Sequence, residues 1–239
     1  MSLDANEQLA ADANEFAKAN RKHFARKFTD PAIFTPEECP VSVFMAGSPG
    51  AGKTEASHAL IEQISSQGPA VLRIDPDDLR QQFKGYNGSN AYLFQRAASI
   101  LVERILDEAF GNSQSFILDG TLSSYSSAKK NIDRSLKKDR QVQLLYVYQE
   151  PFLAWDFVQK REAIEGRRIK PETFIEQYFA AREVVNRLKN EYGSAIKVDL
   201  LMKNIDNSNR FFEFGVQNID YFIPERFSKA ELEQTLGLG

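Results

Sequence analysis

The stretch GSPGAGKT at residues 47–54 satisfies the pattern G-x-x-x-x-G-K-[ST]. Apolar residues, VSVFMA (41–46), precede it, and a helix-like pattern follows it. That context gives the motif its chemical meaning. Glycines at 47, 50 and 52 let successive backbone N–H groups converge on a phosphate chain at a helix N-terminus, with Ser48, Pro49 and Ala51 filling the same turn. Lys53 is placed to bridge the β- and γ-phosphates and the Thr54 hydroxyl to ligate magnesium. The expected cofactors are ATP or GTP, with Mg2+. Acidic groups follow at two further strand ends. FILDGT closes an apolar run on Asp119, the usual form of a metal-holding acid, although Asp is also a favoured N-cap. RIDPDDLRQQF (73–83) supplies Asp75, Asp77 and Asp78. Asp77, two residues beyond the strand, is the candidate general base toward an acceptor hydroxyl, while Asp75 or Asp78 caps or solvates a helix starting near Pro76. QKREAIEGRRIKP (159–171) adds Arg161, Arg167, Arg168 and Lys170. Standing alone, that run reads equally well as a solvated helix face. Behind a phosphate loop and strand-end acids it reads as cations over a transferring phosphoryl group, on a lid-like segment.

The elements that must position these groups are legible as alternation. Strand-like runs at 41–46, 70–75, 115–119, 142–148 and 196–202 are apolar on both faces and separated by helix-sized segments. The expected fold is a three-layer α/β P-loop NTPase or kinase architecture, with a mainly parallel sheet of about five strands and helices on both faces. In PETFIEQYFAAREVVNRLKNEY, Phe174, Tyr178, Ala181, Val185, Leu188 and Tyr192 share one helix face, with Pro171 suited to its first turn. Leu9, Ala13, Phe16, Phe24 and Phe28 form a similar stripe on an N-terminal helix over 3–28. The expected division is residues 1–40 as helix and connector, 41–202 as the kinase core, and 203–239 as an extension packed on that core. The stretch 210–227 is aromatic enough to pack inward or to mark a partner surface.

Composition excludes some classes. The chain has 239 residues and 42% hydrophobic residues, enough for a substantial core. Thirty Lys plus Arg against 33 Asp plus Glu give a net charge of −3, which disfavours a nucleic-acid partner and requires any anion to be held locally. One cysteine and two histidines argue against a disulfide framework and a structural zinc site, and favour a reducing, cytoplasmic setting. No signal-peptide pattern and no run of 18 apolar residues is visible, so no membrane association is expected.

GSPGAGKTE, IDPDDLRQQF, ILDGT, and KRE (160–162) followed by RIKP (168–171) together resemble the zeta toxin family of P-loop kinases over about residues 41–190. The resemblance implies phosphorylation of a hydroxyl of UDP-N-acetylglucosamine and a small antitoxin protein as partner. By position it implies Lys53 and Thr54 as phosphate and magnesium residues, Asp77 as catalytic base, Asp119 and Thr121 as the strand-end acceptor-binding motif, and Arg161 and Arg168 as phosphate-binding arginines. Two positions depart from the family motif: Asp119 stands where it has Glu, and Ser123 lies where it has an arginine. PDDLRQ and GRRIKPETFIEQYFAAR are also similar to polynucleotide 5′-kinases, which would keep the mechanism and change the acceptor. KGYNGSNAYLFQR (84–96) offers Tyr86, Tyr92 and Phe94 either as a stacking surface or as core. Other small metabolites remain open as acceptors. A nucleotide-dependent switch or ATPase is the reading from another class, and Asp77 counts against it, because a switch needs no acceptor base.

Overall fold

Val41–Ala46 forms β1, buried over nearly its whole length, as a strand sandwiched between helix layers must be. The computed structural model describes residues 4–66, 68–204, 206, 208–223 and 227–237, and for Glu165 the backbone alone. Residue 3 of the expected N-terminal helix and residues 224–226 of the aromatic C-terminal stretch lie outside the described residues.

The elements follow the order α1 (Ala5–Phe28), β1, α2 (Lys53–Ser65), β2 (Leu72–Ile74), α3 (Pro76–Arg80), α4 (Gln95–Gly111), β3 (Phe116–Leu118), α5 (Tyr125–Leu136), β4 (Gln141–Tyr148), α6 (Pro151–Glu165), α7 (Pro171–Tyr192), β5 (Lys197–Lys203), β6 (Asn209–Glu213) and α8 (Lys229–Thr235). The sheet order is β2-β3-β1-β4-β5-β6. β1 pairs in parallel with both β3 and β4, so the chain reverses its winding direction at β1. In an open parallel sheet a ligand crevice forms at the carboxyl edge beside such a switch. β6 pairs antiparallel with β5 and closes one edge. It is the strand that the periodicity did not announce: Asn209, Arg210, Phe211 and Phe212 are all exposed, so no inward–outward alternation marks it.

Strand alternation divides the core between the sheet faces. Phe44, Leu72, Ile74, Phe116, Leu144, Tyr146 and Leu200 pack with α4, α5 and α7. Val43, Met45, Ile117, Leu145, Val147 and Leu201 pack with the α2 residues Ala56, Leu60, Ile61 and Ile64. Arg73, between Leu72 and Ile74, therefore faces the α2 side and reaches Ser57.

α1 lies along α4, with Ala13, Ala17 and Ala25 buried where small residues allow close approach. Phe24 is 7% exposed and meets the rings of Phe16 and Phe28 at 6.1 and 6.4 Å. The connector after α1 is tied to the start of β3, where the Gln114 side chain donates to the Thr29 and Phe34 carbonyls at 2.9 and 2.6 Å. Beyond β5, Val216, Ile219, Ile223 and Leu232 enter the main core, whereas Phe214 and Tyr221 face outward. The long apolar contact of α1 makes it a brace for α4. Phe24→Ala should lower the unfolding free energy by about 3–5 kcal/mol in a urea titration, as expected for a deleted buried aromatic; a loss within about 0.5 kcal/mol, the scale of a surface change, would contradict bracing.

Candidate active site

The loop after β1 takes its shape from close backbone approach. Gly47 has φ 134°, and a Cβ there would sit 2.2 Å from the Val147 carbonyl oxygen on β4. Gly50 has φ 73°, and its Cβ would lie 2.0 Å from the Ala154 carbonyl on α6. Any side chain at either position would force the loop away from the sheet edge. The chain then enters α2, whose first N–H groups have no helical acceptor and face the crevice as an anion site. Lys53, the first residue of α2, donates from Nζ to the Gly47 and Ser48 carbonyls at 3.0 and 2.6 Å. Burial lowers its pKa from 10.5 to about 8, with Asp119 and Asp77 pulling upward and Arg167 and Arg161 adding to the depression.

At the neighbouring strand ends one arginine binds three carboxylates. Arg73 on β2 donates from Nε and Nη2 to Asp119 Oδ2 at 3.2 and 2.7 Å, and from Nη1 to Asp78 at 2.8 Å. Its Nη2 also pairs with Asp75. Ser57 on α2 donates to the same Asp119 oxygen at 2.8 Å. The cluster joins α2, β2, α3 and the end of β3 into one unit. Burial opposes the charge on Arg73, but the three carboxylates outweigh it and its pKa is raised. Asp75 N-caps α3 by accepting from the Asp77 N–H at 2.8 Å. Burial, then the neighbouring Asp77 charge, lifts Asp75 from 3.8 to about 6. Because that folded-state value lies above the unfolded one, ionised Asp75 costs stability above about pH 6, a cost absent below pH 3.8.

Asp77 projects from the first turn of α3 and is held from two sides. Arg80, one helical turn on, pairs with Oδ1, and Arg167 pairs with Oδ2. Arg80 is itself buried and held by Gln95 on α4. Burial lowers the Arg80 pKa, partly offset by Asp77.

A cavity of about 500 Å³ connects these groups. Pro49, Gly50, Gly52, Lys53, Thr54, Asp77, Asp119, Thr121 and Arg161 all line it, joined by Arg80, Gln95, Phe157, Arg167 and Gln177. The structure thus brings together most residues singled out from sequence. Arg168 lies apart: its side chain is 69% exposed, 3.8 Å from Glu162, and it does not line the cavity. Arg167 stands there instead. The segment 159–171, expected as a lid, comprises the end of α6, a link at 166–170 and the first residue of α7. Thr121 shares a 2.9 Å hydrogen bond with Ser123, and its carbonyl accepts from the Gly47 N–H at 3.2 Å, tying the acidic strand end to the phosphate loop. Phe94 is fully buried and Tyr86 packs edge-on against it at 5.6 Å, so those rings serve the core; Tyr92 is exposed. Arg73, Arg80 and Gln95 escaped the sequence reading. Alternation along β2 gives the face of Arg73, but its partners depend on tertiary placement.

Thr54 and Asp119 are hard oxygen donors on the same cavity, which fits magnesium, an ion that takes one or two protein ligands and draws the rest from phosphate and water. Among the described residues no group of three or more His, Cys, Asp or Glu is arranged to hold a metal, and no helix is long and apolar enough to cross a membrane.

A parallel sheet that reverses at β1, with a glycine-rich loop feeding a helix N-terminus at that point, defines the class of P-loop proteins. Within that class, the chain belongs to the Zeta toxin family, whose model matches residues 25–217. Among solved structures it is similar to the PezAT chromosomal toxin–antitoxin system of Streptococcus pneumoniae, with TM-score 0.65 and 15% identity over 98% of this chain and 88% of the other. It is also similar to the AvrRxo1-ORF1:-ORF2 complex with ATP, with TM-score 0.56 and 16% identity over 90% of this chain and 70% of the other. These likenesses show the fold. A curated relative, the genome polyprotein of vesicular exanthema of swine virus serotype A48, is 44% identical over 46 residues, and the match spans 19% of this chain and 2% of that polyprotein.

The Lys53 shift has a measurable sign. The unfolded chain holds more protons than the folded one between pH 8 and 10.5, so the Lys53 contribution to stability rises across that interval and the desolvation cost is complete below it. Relative to Lys53→Met, wild-type protein should gain about 1–2 kcal/mol of stability between those limits in parallel chemical denaturations, after allowance for water in the open cleft. Parallel profiles would contradict the desolvated position of the ammonium.

Proposed function

We propose that the protein is an ATP-dependent phosphotransferase that acts on an alcohol, with UDP-N-acetylglucosamine as the acceptor the family resemblance favours. The observation that carries the reading is the single cavity on which the phosphate loop and Asp77 both open. In this reading Gly47 to Thr54 cradle the triphosphate, and Lys53 exchanges its loop carbonyls for phosphate oxygens. Asp77 positions the acceptor hydroxyl and takes its proton as the oxygen attacks the γ-phosphorus. The bond from that phosphorus to the bridging oxygen breaks, and ADP leaves. Thr54 and Asp119 would hold magnesium, which supplies charge neutralisation on the phosphates. Arg161 and a second arginine of the α6–α7 region offset charge on the equatorial oxygens. Gln95, Thr121 and Gln177 add neutral hydrogen-bonding groups to the cavity lining.

An antitoxin partner belongs to the same proposal and is supported by family membership. So does the division into a helix-and-connector segment (1–40), a kinase core (41–202) and a packed extension (203–239), with support from the burial of Phe24, Val216, Ile219 and Leu232.

Incubation with γ-labelled ATP, magnesium and a panel of UDP-sugars, nucleosides and oligonucleotide 5′-hydroxyl ends should label UDP-N-acetylglucosamine. Label on an oligonucleotide end alone would move the acceptor to nucleic acid, and steady hydrolysis with every acceptor left unlabelled would replace transfer with an ATPase or switch. Asp77→Asn should reduce transfer at least about 100-fold, the lower range for a general base, while ATP affinity is kept. Transfer at the parent rate would remove Asp77 from the mechanism.

A further inference from the structure

Asp77 carries two arginines, and the two are anchored differently. Arg80 lies in the same short helix, is 8% exposed, and has its other Nη held by Gln95 on α4. Arg167 belongs to the link between α6 and α7, directly after Gly166, whose left-handed conformation (φ 71°) ends α6. Arg80 is buried and held by a second side chain, whereas Arg167 sits on a link outside any helix. It also lines the same cavity as Lys53 of the phosphate loop.

The pairing seen in the structure crowds the role given to Asp77. A guanidinium on each oxygen occupies two of the roughly four lone-pair sites of the carboxylate and stands between it and the cavity, so release of one opens the approach of an acceptor hydroxyl. The cavity wall offers a reason for that release. Lys53, Arg80, Arg161 and Arg167 converge on it, and a guanidinium binds a phosphate through the same fork geometry that it uses on a carboxylate.

Resting on the phosphotransferase reading, we propose that Arg167 is a catalytic residue that changes partner: it holds Asp77 Oδ2 until a triphosphate presents its terminal phosphate, then moves to that phosphate and frees the base. Base activation is thereby coupled to the γ-phosphate and not to nucleotide occupancy in general. ADP fills the loop without releasing Asp77. The order of events follows, with triphosphate engagement preceding acceptor deprotonation. The arginine that frees the base is then the one that neutralises the phosphoryl group in transfer.

Hydrogen exchange read by mass spectrometry on the full chain tests this without an identified acceptor. Peptides covering 47–54 and 166–170 are followed in wild type, Asp77→Asn and Arg167→Ala, each without nucleotide, with ADP and with a non-hydrolysable ATP analogue. Without nucleotide and with ADP, both variants should exchange several-fold faster than wild type over 166–170. With the ATP analogue, Asp77→Asn should match wild type there, because Arg167 no longer depends on Asp77, while Arg167→Ala stays fast. A difference between Asp77→Asn and wild type that persists with the analogue would overturn the partner change, as would equal exchange in the absence of nucleotide. Protection over 47–54 reports nucleotide binding separately. Its absence with both nucleotides would overturn the phosphotransferase reading itself.

Discussion

Two carboxylates buried at adjacent strand ends, Asp75 and Asp119, can be packed beside a phosphate loop only if their mutual repulsion is met locally, and Arg73 meets it. Its guanidinium binds Asp75, Asp78 and Asp119 at once, while Ser57 fixes the Asp119 oxygen from α2. Asp75 nevertheless keeps a raised pKa, chiefly because it is buried and secondarily because Asp77 lies beside it. The geometry of the cleft depends on this junction. It sets the entry of α3, hence the position of Asp77, and it joins that helix to the element that begins with Lys53 and Thr54.

A second constraint is steric. The phosphate loop lies so close to β4 and α6 that Gly47 and Gly50 admit no side chain. Contact with α6 gives the loop and the arginine-bearing segment a common wall: α6 supplies Ala154 beneath Gly50 and Arg161 to the cavity, and the link that ends it supplies Arg167. Charge and packing thus converge on the cavity. Lys53, Arg80, Arg161 and Arg167 face it together with Glu55, Asp75, Asp77 and Asp119, so both signs of charge are presented to whatever enters.

The sheet, its parallel pairing and the place of the loop were legible because they rest on local signals: continuous apolar runs, a 3.6-residue stripe in 171–192, and glycines spaced for a tight turn. β6 was not legible, since a mostly exposed edge strand needs no alternation to be stable when β5 supplies its pairing. Among the site residues, Asp77 and Lys53 follow from position relative to a strand end. The choice between Arg167 and Arg168 does not. Adjacent residues in a link point in different directions, and only the packed structure decides that Arg167 turns to Asp77 while Arg168 turns to solvent. The arginine three residues after Asp77 was within reach of helix-face reasoning, whereas the contacts of Arg73 join residues far apart in the chain.

In the proposed mechanism one cleft aims a terminal phosphate at the carboxylate of Asp77. The most direct test is a crystal structure of the protein with magnesium and a non-hydrolysable ATP analogue. The triphosphate is expected in the loop from Gly47 to Thr54, with the γ-phosphorus facing Asp77 across the space of one hydroxyl oxygen, about 3–3.5 Å from where that oxygen would sit. A γ-phosphate directed away from α3, or a nucleotide bound outside this cavity, would contradict it.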